Sequence, residues 1–64
     1  MINKQHLIYV LHNVLCWNDF DINKNSISDL AWACEKYDNS YYREEYEESI
    51  RYYGLRKLKK IVYN

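Results

Sequence analysis

Two histidines and two cysteines are the side chains of this sequence best suited to metal binding or nucleophilic chemistry. His12 and Cys16 are four residues apart and would share one helix face, and His6 and Cys34 would complete a Cys2His2 set. The set lacks the CxxC and HxxxH spacings typical of zinc sites. A Cys16–His12 nucleophilic pair would lack an orienting third group and a glycine-built oxyanion turn. We therefore expect no metal, no cofactor and no enzymatic activity.

The segment DFDINKNSISDL begins with oxygen-bearing side chains at calcium-loop spacing. Asp19, Asp21 and Asn23 stand at positions 1, 3 and 5, so this short stretch resembles the start of an EF-hand loop. Lys24 replaces the glycine that the turn requires, and Leu30 replaces the bidentate glutamate. The segment therefore predicts a polar loop leading into a helix rather than a calcium site.

Basic and aromatic residues are interleaved between residues 51 and 63, a mixture that can bind phosphates and stack bases. The nucleic-acid candidates are its five cations and one of its tyrosines: Arg51, Arg56, Lys57, Lys59, Lys60 and Tyr63. The same cations would suit a solvated helix C-terminus, and four nearby glutamates would weaken their field. Arg51 also follows Glu47 by four residues, which predicts an ion pair on a helix.

Three aromatic residues of the second and third predicted helices fall outside the apolar stripes. These candidates for a protein interface are Trp32, Tyr41 and Tyr52, and we expect Tyr41 and Tyr52 to point to the same outward side of one helix. Tyrosine and tryptophan are enriched among the residues that contribute most to protein–protein binding. Single exposed aromatic residues are also common on surfaces without a partner, so the alternative is that these three have no binding role.

The composition favours a single small helical domain. The chain has 64 residues, 48% of them hydrophobic, with no proline and one glycine, too few turn residues for a strand-rich fold. Nine basic residues balance nine acidic ones, but the charges are segregated: residues 51–64 carry five basic and no acidic residues. A net charge near zero favours association over repulsion.

Nothing in the sequence indicates secretion or membrane insertion. The run MINKQHLIYVLHNVLCW is interrupted by His12 and Asn13, and no small-residue cleavage site follows it. No segment approaches the roughly 18 apolar residues of a membrane span. We therefore expect a cytoplasmic protein with no membrane partner, in which a Cys16–Cys34 disulfide does not form.

Apolar periodicity predicts an all-α fold, a compact bundle formed by one domain over residues 1–64. We expect three main helices and a short C-terminal helix, at about 4–17, 27–37, 41–53 and 55–62. An edge strand is the alternative for the last segment. The polar stretch 18–25 is expected to be a loop whose Phe20 and Ile22 pack back onto the core.

Capping patterns predict where the first two helices begin. Asn3 is a suitable N-cap for the first helix, with Ile2 and Leu7 forming a hydrophobic staple. Ser26 followed by Asp29 three residues later is a capping-box pattern for the second helix.

The single glycine predicts a break between the last two helices. The apolar stripes before and after Gly54 would lie on opposite faces of one continuous helix, whereas a break lets both face the core. We expect Gly54 in a left-handed conformation, with Leu55 touching Ile50. The sequence DNS at 38–40 is expected to end the second helix and cap the third.

The predicted core follows these stripes, with Ile8, Val10 and Trp17 widening the first of them. Its members are Leu7, Leu11, Val14, Leu15, Ile27, Leu30, Ala31, Cys34, Tyr42, Tyr46, Ile50, Leu55 and Leu58.

For function, the sequence favours a small non-enzymatic protein-binding protein that occludes a macromolecular surface. Asn, Lys, Ile and Tyr, which have AT-rich codons, make up 27 of the 64 residues. This suggests a phage or mobile-element inhibitor of a host protein, such as a defence nuclease. The alternatives are a nucleic-acid-binding module that uses the basic segment, and a homodimer whose function lies in its assembly.

Overall fold

The computed structural model describes residues 1–16 and 20–63, and within these ranges the chain forms four α-helices and no strand. The helices are α1 (Lys4–Leu15), α2 (Ser26–Asp38), α3 (Arg43–Tyr53) and α4 (Leu55–Tyr63). They form a compact body with a radius of gyration of 10.2 Å. The predicted all-α bundle of three main helices and a short fourth is confirmed, and the last segment is a helix rather than an edge strand.

The four helices share one apolar core. α2 packs most extensively against α3, while α1 contacts the other three helices and α4 packs on α1 and α3. The buried apolar residues are Ile2, Leu7, Val10, Leu11, Val14, Leu15, Leu30, Ala31, Cys34, Tyr46, Ile50, Leu55 and Leu58. Phe20 and Ile22 pack against this cluster, as predicted.

Two members of the predicted core lie elsewhere. Tyr42 is 77% exposed, because α3 begins at Arg43 and leaves Tyr42 in extended backbone (φ −77°, ψ 151°). Helical spacing therefore does not set its direction. Ile27 is only partly buried and packs against the edge of the core. Trp17, which was expected at the end of the first helix, lies outside the described residues.

The start of α1 confirms the predicted N-cap. The Asn3 side chain accepts hydrogen bonds from the backbone N–H groups of Gln5, at 2.8 Å, and His6, at 3.4 Å. Ile2 and Leu7 are both buried in the core cluster, as a hydrophobic staple requires.

The start of α2 differs from the predicted capping box. Asn25 is the N-cap residue, and it makes no side-chain capping bond. Ser26 is already helical and buried, so its hydroxyl turns back into the preceding loop. There it accepts from Asn23 N–H at 2.6 Å and donates to the Asp21 carbonyl at 3.3 Å. This serine therefore secures the loop that places Ile22 beside α4.

The turn between α2 and α3 confirms one half of its prediction. Asn39 ends α2 in the left-handed conformation (φ 60°), and its N–H donates to the Glu35 carbonyl at 2.8 Å. The expected capping of α3 by this segment is wrong. Ser40 donates back to the Asp38 carbonyl, and Tyr42 is the N-cap residue without a side-chain capping bond.

Gly54 separates α3 from α4 with a positive φ, as predicted, but with an extended ψ (φ 90°, ψ 115°) instead of the left-handed helical value. Its N–H donates to the Ile50 carbonyl, and its own carbonyl accepts from Leu58 N–H, both at 2.9 Å. One residue therefore ends α3 and begins α4. The change of direction buries Leu55 together with Ile50 and leaves the basic side of α4 outside.

Candidate functional site

α4 carries charge of one sign only. Its sequence LRKLKKIVY contains no acidic residue. Leu55 and Leu58 face the core, so the charged side chains occupy the outer side of the helix. Its cations are Arg56, Lys57, Lys59 and Lys60. Three of them are exposed, and Lys59 is partly buried.

A groove of about 780 Å³ lies beside this charged side of α4. Its lining residues, which define the α4 groove, are Ile22, Arg56, Lys57, Lys59, Lys60 and Tyr63. Ile22 supplies an apolar floor. Lys59 donates from Nζ to the Phe20 carbonyl and lies 5.5 Å from the centroid of the Phe20 ring, so its position is set by the loop.

A second depression of about 530 Å³, the Gly54 hollow, shares Ile22, Arg56 and Lys57 with the α4 groove. The rest of its lining is Asn23, Ile27, Tyr53, Gly54 and Leu55. Among the described residues that line either depression, none is acidic. A ligand lying across both would therefore meet apolar side chains, including the rings of Tyr53 and Tyr63, together with positive charge and no carboxylate.

The structure brings five of the six nucleic-acid candidates together in the α4 groove: Arg56, Lys57, Lys59, Lys60 and Tyr63. Arg51 does not join them. It lies on α3 and forms the predicted pair with Glu47, with Arg51 Nη2 at 2.9 Å from Glu47 Oε1. An exposed pair of this kind contributes about 0.3–0.5 kcal/mol to stability.

The three protein-interface candidates are all exposed. The exposed fraction is 53% for Trp32, 41% for Tyr41 and 70% for Tyr52. Tyr41 precedes α3 instead of belonging to it, so the expectation that it shares a helix side with Tyr52 is wrong.

Each of these rings has neighbours of its own. The Lys36 ammonium lies 5.4 Å from the centroid of Trp32, and Tyr52 meets the edge of Tyr53 at 5.1 Å between centroids. The Tyr41 ring packs against the His6 ring, with 5.3 Å between their centroids. In the part of the chain that the structure describes, none of the three candidate rings stacks on another.

Sequence reasoning missed a polar cluster that joins three helices. Asp38 Oδ2, at the end of α2, accepts a hydrogen bond from the Tyr46 hydroxyl at 2.6 Å and lies 3.0 Å from His6 Nε2. The Tyr41 ring lies 5.7 Å from that of Tyr46 and meets it edge-on. The one available signal was Tyr46 itself, because a tyrosine on a core stripe needs a partner for its hydroxyl. The identity of that partner depends on how the helices pack.

The protonation of this cluster suits a structural role. Burial raises the pKa of Asp38, but the hydrogen bonds from Tyr46 and His6 outweigh that effect and hold it below its usual value of 3.8. Burial, and then the hydrogen bond to Asp38, raises the pKa of Tyr46. Asp38 therefore stays a charged acceptor at neutral pH, and Tyr46 stays a neutral donor.

The members of the Cys2His2 inventory lie in separate environments. Cys34 is buried in the core, where burial, followed by the charge of Asp38, raises its pKa to about 12. Cys16 is exposed, and its thiol donates to the Asn13 carbonyl at 3.5 Å. His6 faces Asp38. Over residues 1–16 and 20–63, no three His, Cys, Asp or Glu side chains are placed to hold a metal ion.

The residues that resemble an EF-hand loop serve the local fold. The Asn23 side chain accepts from Asn25 N–H at 2.8 Å, and the Asp21 carbonyl accepts from Ser26. Asp19, the first position of the resemblance, lies outside the described residues.

No helix in the described ranges is long and apolar enough to cross a membrane. Comparisons with protein families, curated proteins and solved structures find no match for this chain.

Proposed function

We propose that this protein is a non-enzymatic binding protein that covers part of the surface of another protein, with the α4 groove as its contact surface. The observation that carries this proposal is the groove itself, with positive charge at its edge and an apolar floor, on a molecule with no net charge. The centre of a protein interface is typically depleted of charge and bounded by a polar rim.

The size of the molecule fits a mode of action by coverage. The accessible surface is 4610 Å². A standard interface takes about 800 Å² from each partner, so one partner would cover about a sixth of this surface. While it is bound there, the partner cannot use the covered surface to bind its other ligands, and this inhibition requires no chemical step.

The composition supports a narrower version of the proposal. Abundant Asn, Lys, Ile and Tyr, 27 residues in all, fit an AT-rich genome such as that of a phage or mobile element. A small protein from such a source could inhibit a host protein, for example a defence nuclease, by covering a surface that it needs.

Nucleic-acid binding is the second candidate function, because five of its candidate residues line one groove. Lysine and arginine along a helix can neutralise successive phosphates. Against this stand the zero net charge and the four glutamates of α3, which would repel a long polyanion.

Affinity capture with paired variants tests the proposed function. The groove variant is Lys57→Gln/Lys60→Gln, and the matched control is Lys4→Gln/Lys36→Gln, which removes the same charge outside the groove lining. We expect wild type and control to retain one protein from extracts of the native host and the groove variant to lose it. A third variant, Trp32→Ala/Tyr52→Ala, tests the aromatic candidates.

Three results would contradict the proposal. Equal retention by the groove variant would exclude the α4 groove as the contact surface. Loss only in the aromatic variant would transfer the contact to Trp32 and Tyr52. Capture that nuclease treatment abolishes would favour the nucleic-acid candidate.

A further inference from the structure

We infer that the α4 groove and the Gly54 hollow together take an acidic peptide segment of the partner, in which carboxylates flank apolar side chains. This inference rests on the proposed function and names the chemistry of its partner. Neither the cations nor the apolar floor alone would select such a ligand. Their combination in one site selects a segment that has both acidic and apolar side chains.

Charge complementarity points to carboxylates. Arg56, Lys57 and Lys60 are exposed on one helix that has no acidic residue. Arg56 and Lys60 are four residues apart, and Lys57 and Lys60 are three apart, so these side chains are neighbours on the helix surface. The glutamates of α3 lie on the other side of the Gly54 break. An acidic segment is therefore attracted to α4 and repelled from α3.

Lys59 has a different role in this arrangement. Its ammonium is held by the Phe20 carbonyl and lies over the Phe20 ring, so part of its hydrogen-bonding capacity is used within the protein. Lys59 therefore connects α4 to the loop, and the three exposed cations are left to contact the carboxylates of the ligand.

The floor points to apolar side chains between the carboxylates. Ile22 lines both depressions, and Ile27 and Leu55 line the Gly54 hollow. The Tyr53 ring is fixed there, because its hydroxyl donates to the Ile2 carbonyl at 3.3 Å. Single-stranded nucleic acids are typically held by bases stacked on successive aromatic rings. Here the aliphatic side chains of Ile22, Ile27 and Leu55 lie between the Tyr53 and Tyr63 rings in the lining, which fits leucine or phenylalanine side chains.

The length of the site limits the segment. The nine residues of α4 span about 13 Å at 1.5 Å per residue. That distance corresponds to about four residues of extended peptide, or to a helix of about the same length as α4. The Gly54 hollow lengthens the site at the N-terminal end of α4. The ligand is therefore a short linear segment.

Fluorescence anisotropy with a labelled peptide that repeats Glu-Leu-Leu-Glu tests the inference. One matched peptide replaces the glutamates by glutamine, and a second replaces the leucines by serine. We expect the first peptide to bind, and each replacement to weaken binding at least about threefold, since both charge and apolar contact are required. A labelled single-stranded oligonucleotide serves as the nucleic-acid comparison.

The groove variant and its charge-matched control complete the test. Lys57→Gln/Lys60→Gln should weaken binding of the Glu-Leu-Leu-Glu peptide at least about threefold, while Lys4→Gln/Lys36→Gln should leave it unchanged. Circular dichroism checks that both variants stay folded.

Several outcomes would overturn the inference. They are no peptide binding, equal binding by the groove variant, equal binding of the glutamine or serine peptide, and tighter binding of the oligonucleotide. If groove-dependent capture of a host protein succeeds but the acidic peptide fails, the inference falls and the proposed function stands. If neither depends on the groove, both fall.

Discussion

Asp38 Oδ2 is contacted by side chains from two other helices, the Tyr46 hydroxyl at 2.6 Å and His6 Nε2 at 3.0 Å. The Asp38 side chain is only 16% exposed, so water can replace these contacts only in part. A partly buried carboxylate that loses a donor is left with part of its desolvation cost uncompensated, so each of these contacts contributes to stability.

Tyr46→Phe tests the strongest of these contacts. The variant keeps the buried ring and removes only the donor to a charged acceptor, so we expect a loss of about 1.5–3 kcal/mol in the free energy of unfolding. Urea denaturation followed by circular dichroism measures it. Tyr52→Phe is the control, because the Tyr52 hydroxyl is exposed and makes no hydrogen bond within the described ranges. Similar stabilities for the two variants would contradict the assignment.

The pH dependence of stability should report on the same carboxylate. The folded state lowers the pKa of Asp38 below 3.8. Its contribution is therefore complete above the unfolded-state value of about 3.9 and is lost as pH falls through the lower folded-state pKa. We expect Asp38→Asn to cost about 1–3 kcal/mol at neutral pH and progressively less below pH 4.

Denaturant titrations of wild type and Asp38→Asn at a series of pH values measure this difference. Glu48→Gln, at an exposed position of α3, should differ from wild type by less than about 0.5 kcal/mol throughout. A difference between wild type and Asp38→Asn that stays constant down to low pH would rule out the lowered pKa.

At the scale of helices, the junction between α3 and α4 decides which side of α4 faces outward. Gly54 joins the two helices with φ 90° and ψ 115°, and both its N–H and its carbonyl are used by neighbouring helix ends. If α3 continued straight into α4, Leu55, five residues after Ile50, would point to a different side of the helix from Ile50. The exposure of the basic side of α4 is thus a consequence of this one backbone conformation.

Gly54→Ala tests the junction. The nearest atom to an added Cβ is Lys57 Cβ at 3.9 Å, so there is room for a methyl group, and the cost is conformational. We expect a loss of about 1–3 kcal/mol, the usual range for a side chain forced into a sparsely populated backbone region. Thermal and urea unfolding measure it.

Asn39→Gly is the matched control for that experiment. Asn39 also has a positive φ, of 60°, and glycine adopts this conformation freely, so stability should change by less than about 0.5 kcal/mol. A Gly54→Ala variant as stable as wild type would show that the junction tolerates another geometry.

At the scale of the whole molecule, stability depends on a core to which every helix contributes. A domain of this size rarely has more than about 3–5 kcal/mol of net stability. Cys34 is fully buried in that core, so its thiol becomes accessible only when the molecule opens. Cys16 is exposed near the end of α1 and serves as the accessible reference.

Alkylation of the two cysteines measures global opening. Burial excludes reagent from Cys34 and, by raising its pKa to about 12, keeps the thiol protonated and unreactive at neutral pH. We expect Cys34 to react about a hundredfold or more slowly than Cys16 in the native protein, because it requires unfolding. Mass spectrometry of iodoacetamide adducts follows both sites, and Cys16→Ser isolates Cys34.

Denaturant provides the control for the alkylation experiment. In urea above the unfolding midpoint the two rates should converge. Comparable rates in native buffer would show that the core opens readily.

Much of the fold could be predicted because its signals are local. Helical spacing identified four helices, Asn3 was recognised as a cap, and the opposed stripes around Gly54 required a break there. Tyr42 was misplaced because its direction depends on the first residue of α3, and helix boundaries are weakly encoded. Ser26 was misassigned because burial by neighbouring elements redirected its hydroxyl.

The candidate site could likewise be predicted from the sequence only in part. That Arg56, Lys57 and Lys60 would lie on the side of a helix away from Leu55 and Leu58 followed from the sequence alone, since helical periodicity is a property of consecutive residues. Only the tertiary structure placed Ile22 beside α4, anchored Lys59 on the loop and brought His6 to Asp38. These contacts join residues more than 30 positions apart, and their geometry is set by the packing of the helices. Local sequence patterns determined the elements, while the packing of the common core decided which of their polar sides would meet.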